Sequence, residues 1–534
     1  MAPRSFLVTA LLVVPACSLG PAPRGAGLVS APERTRSVSE VGFPYDLVLP
    51  ADSDLLRQIE AALDFRLRED FDRVLDARES GELLEHATLT QLAIDRGIFG
   101  SDALFVFGDE LFEYEFRPGQ GLGNNLRRRP GIPAGSRGPP NLRRVHEGEF
   151  GGPDSHNCAT CHFKGGPDGA GTNTQNAFLR GDGNRTLSAD ERNPPHLLGL
   201  GPIQALAREM TAELQKTRDA ALETARKSGQ SVTVTLRSKG VEFGVLEARS
   251  DGGTDTRGVA GVDPDLVVKP FGWKGHQATL RGMVEESFRV HLGIVSTHDQ
   301  KRLREGRVST KNYGDGRWDD PDRDGVTLEV EEGMLTTMVA YLSQLEVPII
   351  RPPQPESLLE YFARGERLFG EVGCDSCHRP TLKLINPFVE MGPRPALGDA
   401  LSGAPTLERE PLRINVADDG EHPKIEPRNA LKTAFNVRLF SDLRRHDMGP
   451  ELATSAEQQG IPATVFLTRP LWGLAFTAPY LHDGRAPTVD GAIGLHGGDA
   501  ASVRDQYLAL GKDDRAALQI FLLSLTREPE LFVP

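Results

Sequence analysis

Two stretches combine thiols and an imidazole at a spacing that does specific chemistry: Cys158-Ala-Thr-Cys161-His162 and Cys374-Asp-Ser-Cys377-His378. In a Cys-x-x-Cys-His run both sulfurs can bond covalently to a porphyrin while the adjacent imidazole ligates its iron, so each stretch is an attachment site for a c-type haem. Zinc binding, a redox dithiol and a disulfide are the competing chemistries. The chain has 5 Cys, four of them in these motifs and the fifth at Cys17, which leaves none for a structural disulfide or a four-thiolate zinc site. Two covalently bound haem c groups on one chain imply redox work, with His162 and His378 as iron ligands.

The elements around the motifs repeat. Gly108-Asp-Glu-Leu-Phe112 precedes the first motif and Gly365-Glu-Arg-Leu-Phe369 the second, and apolar helices at Gly333 to Leu345 and Asp513 to Leu525 close the two halves. Helix, haem motif, loops and closing helix, used twice, predict a mainly α protein of two fused cytochrome c-like domains. They are expected at residues 97–350 and 351–534, with a Pro-rich boundary at 346–356. The halves differ in their insertions. Residues 113–157 form a long Gly/Pro/Arg-rich loop, 204–228 read as a helix, and the alternation in Val232 to Leu236 and Val241 to Leu246 predicts a small β-hairpin.

Ahead of these lie a leader at 1–17, a Pro/Gly/Ser/Arg-rich flexible tether at 18–50 and a helical elaboration at 51–96. Arg4 followed by an apolar run to Val14 reads as a secretory signal, and Val14-Pro-Ala-Cys17 as a bacterial lipobox that lipidates Cys17, although an ordinary signal peptide with an incidental Cys would look similar. Export to the periplasm, free or lipid-anchored to a membrane, is what c-type haem attachment requires. At 38% hydrophobic and 25% charged residues the chain is globular in composition. A formal charge of −14 disfavours nucleic acid as a partner and suits a basic redox protein or a neutral small molecule.

Asp320-Pro-Asp322-Arg-Asp324-Gly325, with Glu331 at the twelfth position, fits a calcium-loop template, with Pro321 and Thr327 as departures. An acidic turn capping the following helix is the other reading, and both stand.

Arg469-Pro-Leu-Trp-Gly-Leu-Ala-Phe-Thr-Ala-Pro-Tyr-Leu-His482-Asp-Gly484, then Ala492-Ile-Gly-Leu-His496-Gly-Gly-Asp499, closely resembles the C-terminal half of the bacterial di-haem cytochrome c peroxidase superfamily, nearest to its di-haem oxidoreductase (putative peroxidase, "thiol oxidoreductase") branch. Ser441 to Gly449 and Phe271-Gly-Trp-Lys274 are similar to the same branch, and the resemblance spans roughly residues 100 to 530. It implies that the position 14 residues beyond His482, which is His496, supplies the second ligand of the C-terminal haem. His378 and His496 would then make that haem six-coordinate and low-spin, an electron carrier. It also implies a calcium ion between the haems, held by Asn193 and by main-chain carbonyls at Thr477 and Pro479. His446 is the substitute ligand should His496 not serve, and His482 a structural group near the haem interface.

The first haem departs from the family. Residues 163–195 contain neither His nor Met, so the removable distal His of the peroxidases has no local equivalent. The expectation is a five-coordinate iron on His162 with an open face, and His162 is the catalytic position. His196, Met210, His276 and His291 are more distant candidate ligands, Gln204 and Glu209 weak candidates for a catalytic acid, and Arg208 stands near the place of the peroxidases' inter-haem Trp. An open iron beside an electron-carrying haem predicts an enzyme that reduces hydrogen peroxide or a related oxidant with electrons from a small soluble donor, a cytochrome c or a copper protein. The alternatives are an oxidase or oxygenase of an organic substrate and a non-catalytic electron-transfer di-haem cytochrome. The thiol oxidoreductase label has no free catalytic Cys to support it.

Overall fold

In the computed structural model, residues 101–123, 143–147, 150–307, 317–322, 324–327, 329–354, 356–390, 413–417 and 425–527 are described, with a few isolated positions before 101. Cys17 and most of the 18–50 and 51–96 segments lie outside them, although Thr35–Arg36 pairs antiparallel with Leu49–Pro50 within the expected tether.

The protein is mainly helical with several small sheets. In chain order the elements that matter are α1 (Ser101–Glu113), β1 (Arg143–Glu147), β2 (Phe150–Gly152), β3 (Ala177–Gly181), β4 (Asp190–Arg192), α2 (Leu200–Ser228), β5 (Val232–Ser238) and β6 (Val241–Ala248). Next come α3 (Leu280–Ser287), α4 (Glu332–Gln344), α5 (Leu359–Glu371), β7 (Leu382–Leu384), β8 (Phe435–Val437), β9 (Arg445–Asp447), β10 (Val465–Leu467), α6 (Val489–Gly494) and α7 (Lys512–Leu523). The hairpin expected from alternation is β5–β6, antiparallel with Val232 opposite Ala248, and it turns through Lys239 and Gly240 at φ 50° and 81°. The loop expected at 113–157 instead carries β1 and β2. They join β3 and β4 in a four-stranded sheet in which β1 runs parallel to β3 and the other pairs are antiparallel.

Each half is built on one helix crossing, and the repeated glycine explains it. α1 packs on α4 and α5 on α7. A Cβ on Gly365 would collide with the Ala517 carbonyl oxygen and the Phe521 side chain of α7, and one on Gly108 with the Thr337 carbonyl oxygen and Tyr341 of α4. Only glycine lets the backbones come this close, and the Leu-Phe pair that follows fills the space beyond, with Leu111, Phe112 and Phe369 under 5% exposed.

Two buried clusters result, and they do not divide at residue 350. One holds α1, α2, the hairpin and α4 together with Leu382, Leu384, Phe435 and Val437 of β7 and β8; the other gathers α5, α7 and residues around Ala475 to Ala492. The boundary segment is itself paired, since Ile349 and Ile350 bridge antiparallel to Thr526 and Leu525. Arg527 reaches from there into the first half, donating to Gly165 O at 3.0 Å and Pro167 O at 2.6 Å. No described helix is long and apolar enough to cross a membrane.

Candidate haem sites

The second motif follows directly from α5. The chain leaves Glu371, turns through Val372 and Gly373, and enters a short 3-10 turn at Cys374–Ser376 that brings the His378 N–H onto Cys374 O at 3.0 Å. The His378 ring donates from Nδ1 to Phe440 O at 3.1 Å. His496 follows α6, whose first turn is capped by the Thr488 hydroxyl on the Gly491 N–H, and its Nδ1 donates to Ala492 O at 2.8 Å. A histidine whose Nδ1–H is fixed by a carbonyl presents a neutral Nε2 in a set direction, the arrangement found behind metal-bound imidazoles. The two rings lie 6.4 Å apart, centroid to centroid. Two metal–imidazole bonds of about 2 Å each, plus the ring radii, span that gap. Burial pushes His378 down to about 4 and His496 downward too, so both are neutral and able to ligate.

Both rings face a cavity of about 270 Å³ whose lining is mostly apolar, and Cys374 and Cys377 open onto it. The donor set and the apolar walls fit an iron porphyrin fixed by two thioethers. The first half contributes to the same cavity through Ala170, Asn193, His196 and Trp273. His446 lines it too, but at the edge: its Nε2 meets Asp442 Oδ2 at 2.8 Å and its Nδ1 lies 4.0 Å from Cys377 Sγ, so it stands beside the attachment sulfur. Burial opposes charge on His446, yet the hydrogen bond and charge of Asp442 outweigh it and push it up.

The first motif is anchored differently. Cys158 and Ala159 donate their N–H groups to Phe112 O, at 3.1 and 3.2 Å, so the motif docks on the end of α1 after the 113–157 excursion. The His162 ring donates from Nδ1 to Gly169 O at 3.3 Å and burial takes it down to about 4, the same preparation seen at the other two histidines. Burial also pushes the Cys158 thiol up to about 12, Cys161 to about 11 and Cys374 to about 12. A redox dithiol needs the opposite shift, so the structure disfavours that chemistry at both motifs.

Sequence reasoning missed the group beside Cys161. Asp154 accepts from His146 Nε2 at 3.0 Å and from His291 Nδ1 at 2.8 Å. Burial would raise this carboxyl, but the two histidines hold it at about 2. His291 sits on a π-turn (Phe288–Leu292), and the Asp154 N–H returns to His291 O at 2.8 Å. Two histidines flanking an aspartate in a loop-rich stretch was the available signal, but they are separated by 145 positions in sequence.

Most other singled-out residues are engaged structurally. His196 Nδ1 accepts from the Leu198 N–H at 3.3 Å and its ring also meets the Trp472 backbone. Met210 is fully buried in the core on α2. His276 Nε2 is clamped on the Glu286 carboxylate at 3.0 and 3.1 Å. Gln204 Oε1 accepts from the Leu280 N–H at 2.6 Å, starting α3; Glu209 binds Lys239 and the Ile385 N–H; Arg208 pairs with Glu390 at 2.8 Å. His482 stacks on Phe466 at 4.7 Å.

Asn193, Thr477 and Pro479 line one stretch of the cavity wall. The Asn193 amide donates from Nδ2 to Asn176 Oδ1 at 2.8 Å and to Gly171 O at 3.2 Å, which orients its Oδ1 as the remaining oxygen. Its N–H joins the halves by donating to His482 O at 2.8 Å, and its carbonyl accepts from Nε1 of Trp273 at 2.9 Å, whose own carbonyl takes the Leu467 N–H of the second half. An amide oxygen with main-chain carbonyls is a hard donor set that suits calcium. In the acidic loop, Asp320, Asp322 and Asp324 do converge. Glu331 stands at the N-cap of α4 instead, and the buried carboxylate near enough to feel the charge of all three is Glu329.

Residues 415–525 match the model of the family described as "Di-haem oxidoreductase, putative peroxidase". This stretch is thus similar to di-haem oxidoreductases. The matched stretch includes His446, His482 and His496, which line the second cavity. No curated protein matches. Among solved structures, hydrazine synthase of Kuenenia stuttgartiensis, pressurised with xenon, aligns at 16% identity and TM-score 0.20, over 36% of this chain and 55% of that one. A MauG-like protein associated with microbial copper homeostasis aligns at 15% identity and TM-score 0.26, over 63% of this chain and 91% of that one. This chain thus spans 55% of the length of the first of these structures.

Proposed function

We propose that this di-haem oxidoreductase is an exported peroxidase of the c-type: hydrogen peroxide or a related small oxidant is reduced at the site of His162, with electrons relayed through the site of His378 and His496. Two electrons and two protons convert one peroxide to two waters. Covalently bound iron porphyrins would supply the one-electron chemistry at both motifs.

The observation that carries the reading is the asymmetry between the two histidine sites. At the second, His378 and His496 face one another with their Nδ1 atoms tied to carbonyls, so both imidazoles would hold the iron, which suits an electron relay. At the first, His162 is prepared as a ligand, while His196, Met210 and His276 are held elsewhere in the fold. His291 is held by Asp154. Among the described residues these four candidates are thus committed to other partners, and the reading assigns the face opposite His162 to a substrate. Asn193 and Trp273, which tie the halves together at the second cavity, hold the two sites at a fixed relation, as electron transfer needs. The donor would be a small basic cytochrome c or copper protein meeting the acidic surface, and Cys17 would tether the chain to a membrane by lipid.

Optical and paramagnetic resonance spectra of the oxidised protein test this. One high-spin and one low-spin haem are expected, with cyanide or azide binding before any reduction, and His162→Gly should abolish that binding while leaving the low-spin signal. Two low-spin haems that bind added ligands only after partial reduction would overturn the open site.

A further inference from the structure

The loop before α4 holds a cluster that the redox reading does not use. One oxygen each of Asp320, Asp322 and Asp324 lies within 4.8 Å of the others. Asp322 is only 2% exposed, and neither of its carboxylate oxygens has a hydrogen-bond partner. Glu329, 6% exposed, has an unpartnered Oε1, and so do Asp320 at Oδ1 and Asp324 at Oδ2. The nearby Arg317 is committed to Asp319. No cation among the described residues is paired with these oxygens, and burying several carboxylates together with oxygens left unpartnered is costly.

We infer that Asp320, Asp322, Asp324 and Glu329 form a calcium site, distinct from the one that the family resemblance implies at Asn193. The donors are all hard oxygens, and a set of protein carboxylates on a loop matches calcium, whereas magnesium keeps most of its waters. Gly325, at φ +94°, makes the turn that returns the chain toward Glu329, and the Val326 N–H bonds Asp324 Oδ1 at 2.7 Å, so the third aspartate keeps its other oxygen for the ion.

The site fastens a strip that leads to the first haem motif. The second oxygen of Glu329 accepts from the Val295 N–H at 2.7 Å, and the Thr297 N–H meets Val330 O at 2.8 Å. Four residues before Val295 is His291, held on Asp154. Leu292 O accepts from the Gly123 N–H at 2.7 Å. Neutralising the carboxylates therefore secures Val295 and, through it, the turn that carries His291.

Calorimetry on the holoprotein stripped with EGTA, titrated with calcium chloride and separately with magnesium chloride, tests the site. Wild type should bind one calcium more than Asp322→Asn, and calcium should raise its unfolding midpoint by several degrees while raising that of the variant less. Asp324→Asn should weaken the same site at least about tenfold, and it serves if Asp322→Asn does not fold. Asn193→Ala should leave this site intact. Equal calcium stoichiometry in wild type and both aspartate variants, or a calcium-free variant more stable than wild type with unchanged metal content, would mean that these carboxyls are simply protonated and would sink the proposal.

Discussion

His378 and His496 come from opposite ends of the C-terminal half, one after α5 and one after α6, yet their rings stand 6.4 Å apart and each donates its Nδ1–H to a carbonyl within its own half. Each ring is therefore aimed by backbone before any cofactor binds.

Replacing one of them changes the relay without removing it. His496→Met should convert a bis-imidazole spectrum to a His/Met one and raise the potential of that haem. Redox titration followed optically reads both effects. An unchanged spectrum would move the ligand to another residue, His446 first.

The helix crossings set a stability test. Gly365→Ala places a methyl group against the Ala517 carbonyl, where neither backbone can yield easily, so it should cost about 1–3 kcal/mol in denaturant unfolding. Gly108→Ala should do the same for α1 against α4, whereas Gly229→Ala, which meets open space but sits at φ +70°, should show only the cost of its backbone conformation.

Asp168 supplies a pH test. Burial, with Asp109 and Glu346 adding to it, pushes this carboxyl up to about 7, against the opposing effects of Tyr341, which donates to it at 2.7 Å, and Arg527. A raised folded value means that the native state holds its proton more tightly than the unfolded chain. The associated stability is complete below the ordinary aspartate range and falls by up to about 1.4 kcal/mol per pH unit until about pH 7. Asp168→Asn should flatten stability across that window, as measured by unfolding at a series of pH values.

Export is tested at the other end of the chain. Mass spectrometry of the mature protein should find an acylated Cys17 as the first residue, and an unmodified start elsewhere would exclude the lipid anchor.

The parts of the site legible in sequence were those written as local spacing. The two Cys-x-x-Cys-His runs, the Gly-x-x-Leu-Phe repeat and the hairpin each depend on residues a few positions apart, and His496 was reachable because it lies a short fixed distance from His482. Contacts made by backbone atoms or across long separations were not legible. Nothing in the types of Phe112 or Phe440 says that their carbonyls receive Cys158 or His378. The calcium template counts positions along one loop and so selects Glu331. In the fold, the pairing of Val330 with Ser296 puts Glu329 beside the aspartates and leaves Glu331 to begin α4.

The excursion from Glu113 to Asn157 begins and ends on the same turn of α1: Asn157 Nδ2 donates to Glu113 O at 3.0 Å, and the next two N–H groups return to Phe112 O. Chain that departs from a point and comes back to it leaves the geometry of that point independent of its own length. Length added between Gly123 and Arg143 would therefore cost only the slowly growing entropy of closing a longer connection, whereas changes at Asp154 would reach the first site through His291 and Cys161. The second half has no such margin, because only Val372 and Gly373 separate α5 from Cys374. One added residue there would rotate the attachment cysteines off their helix end.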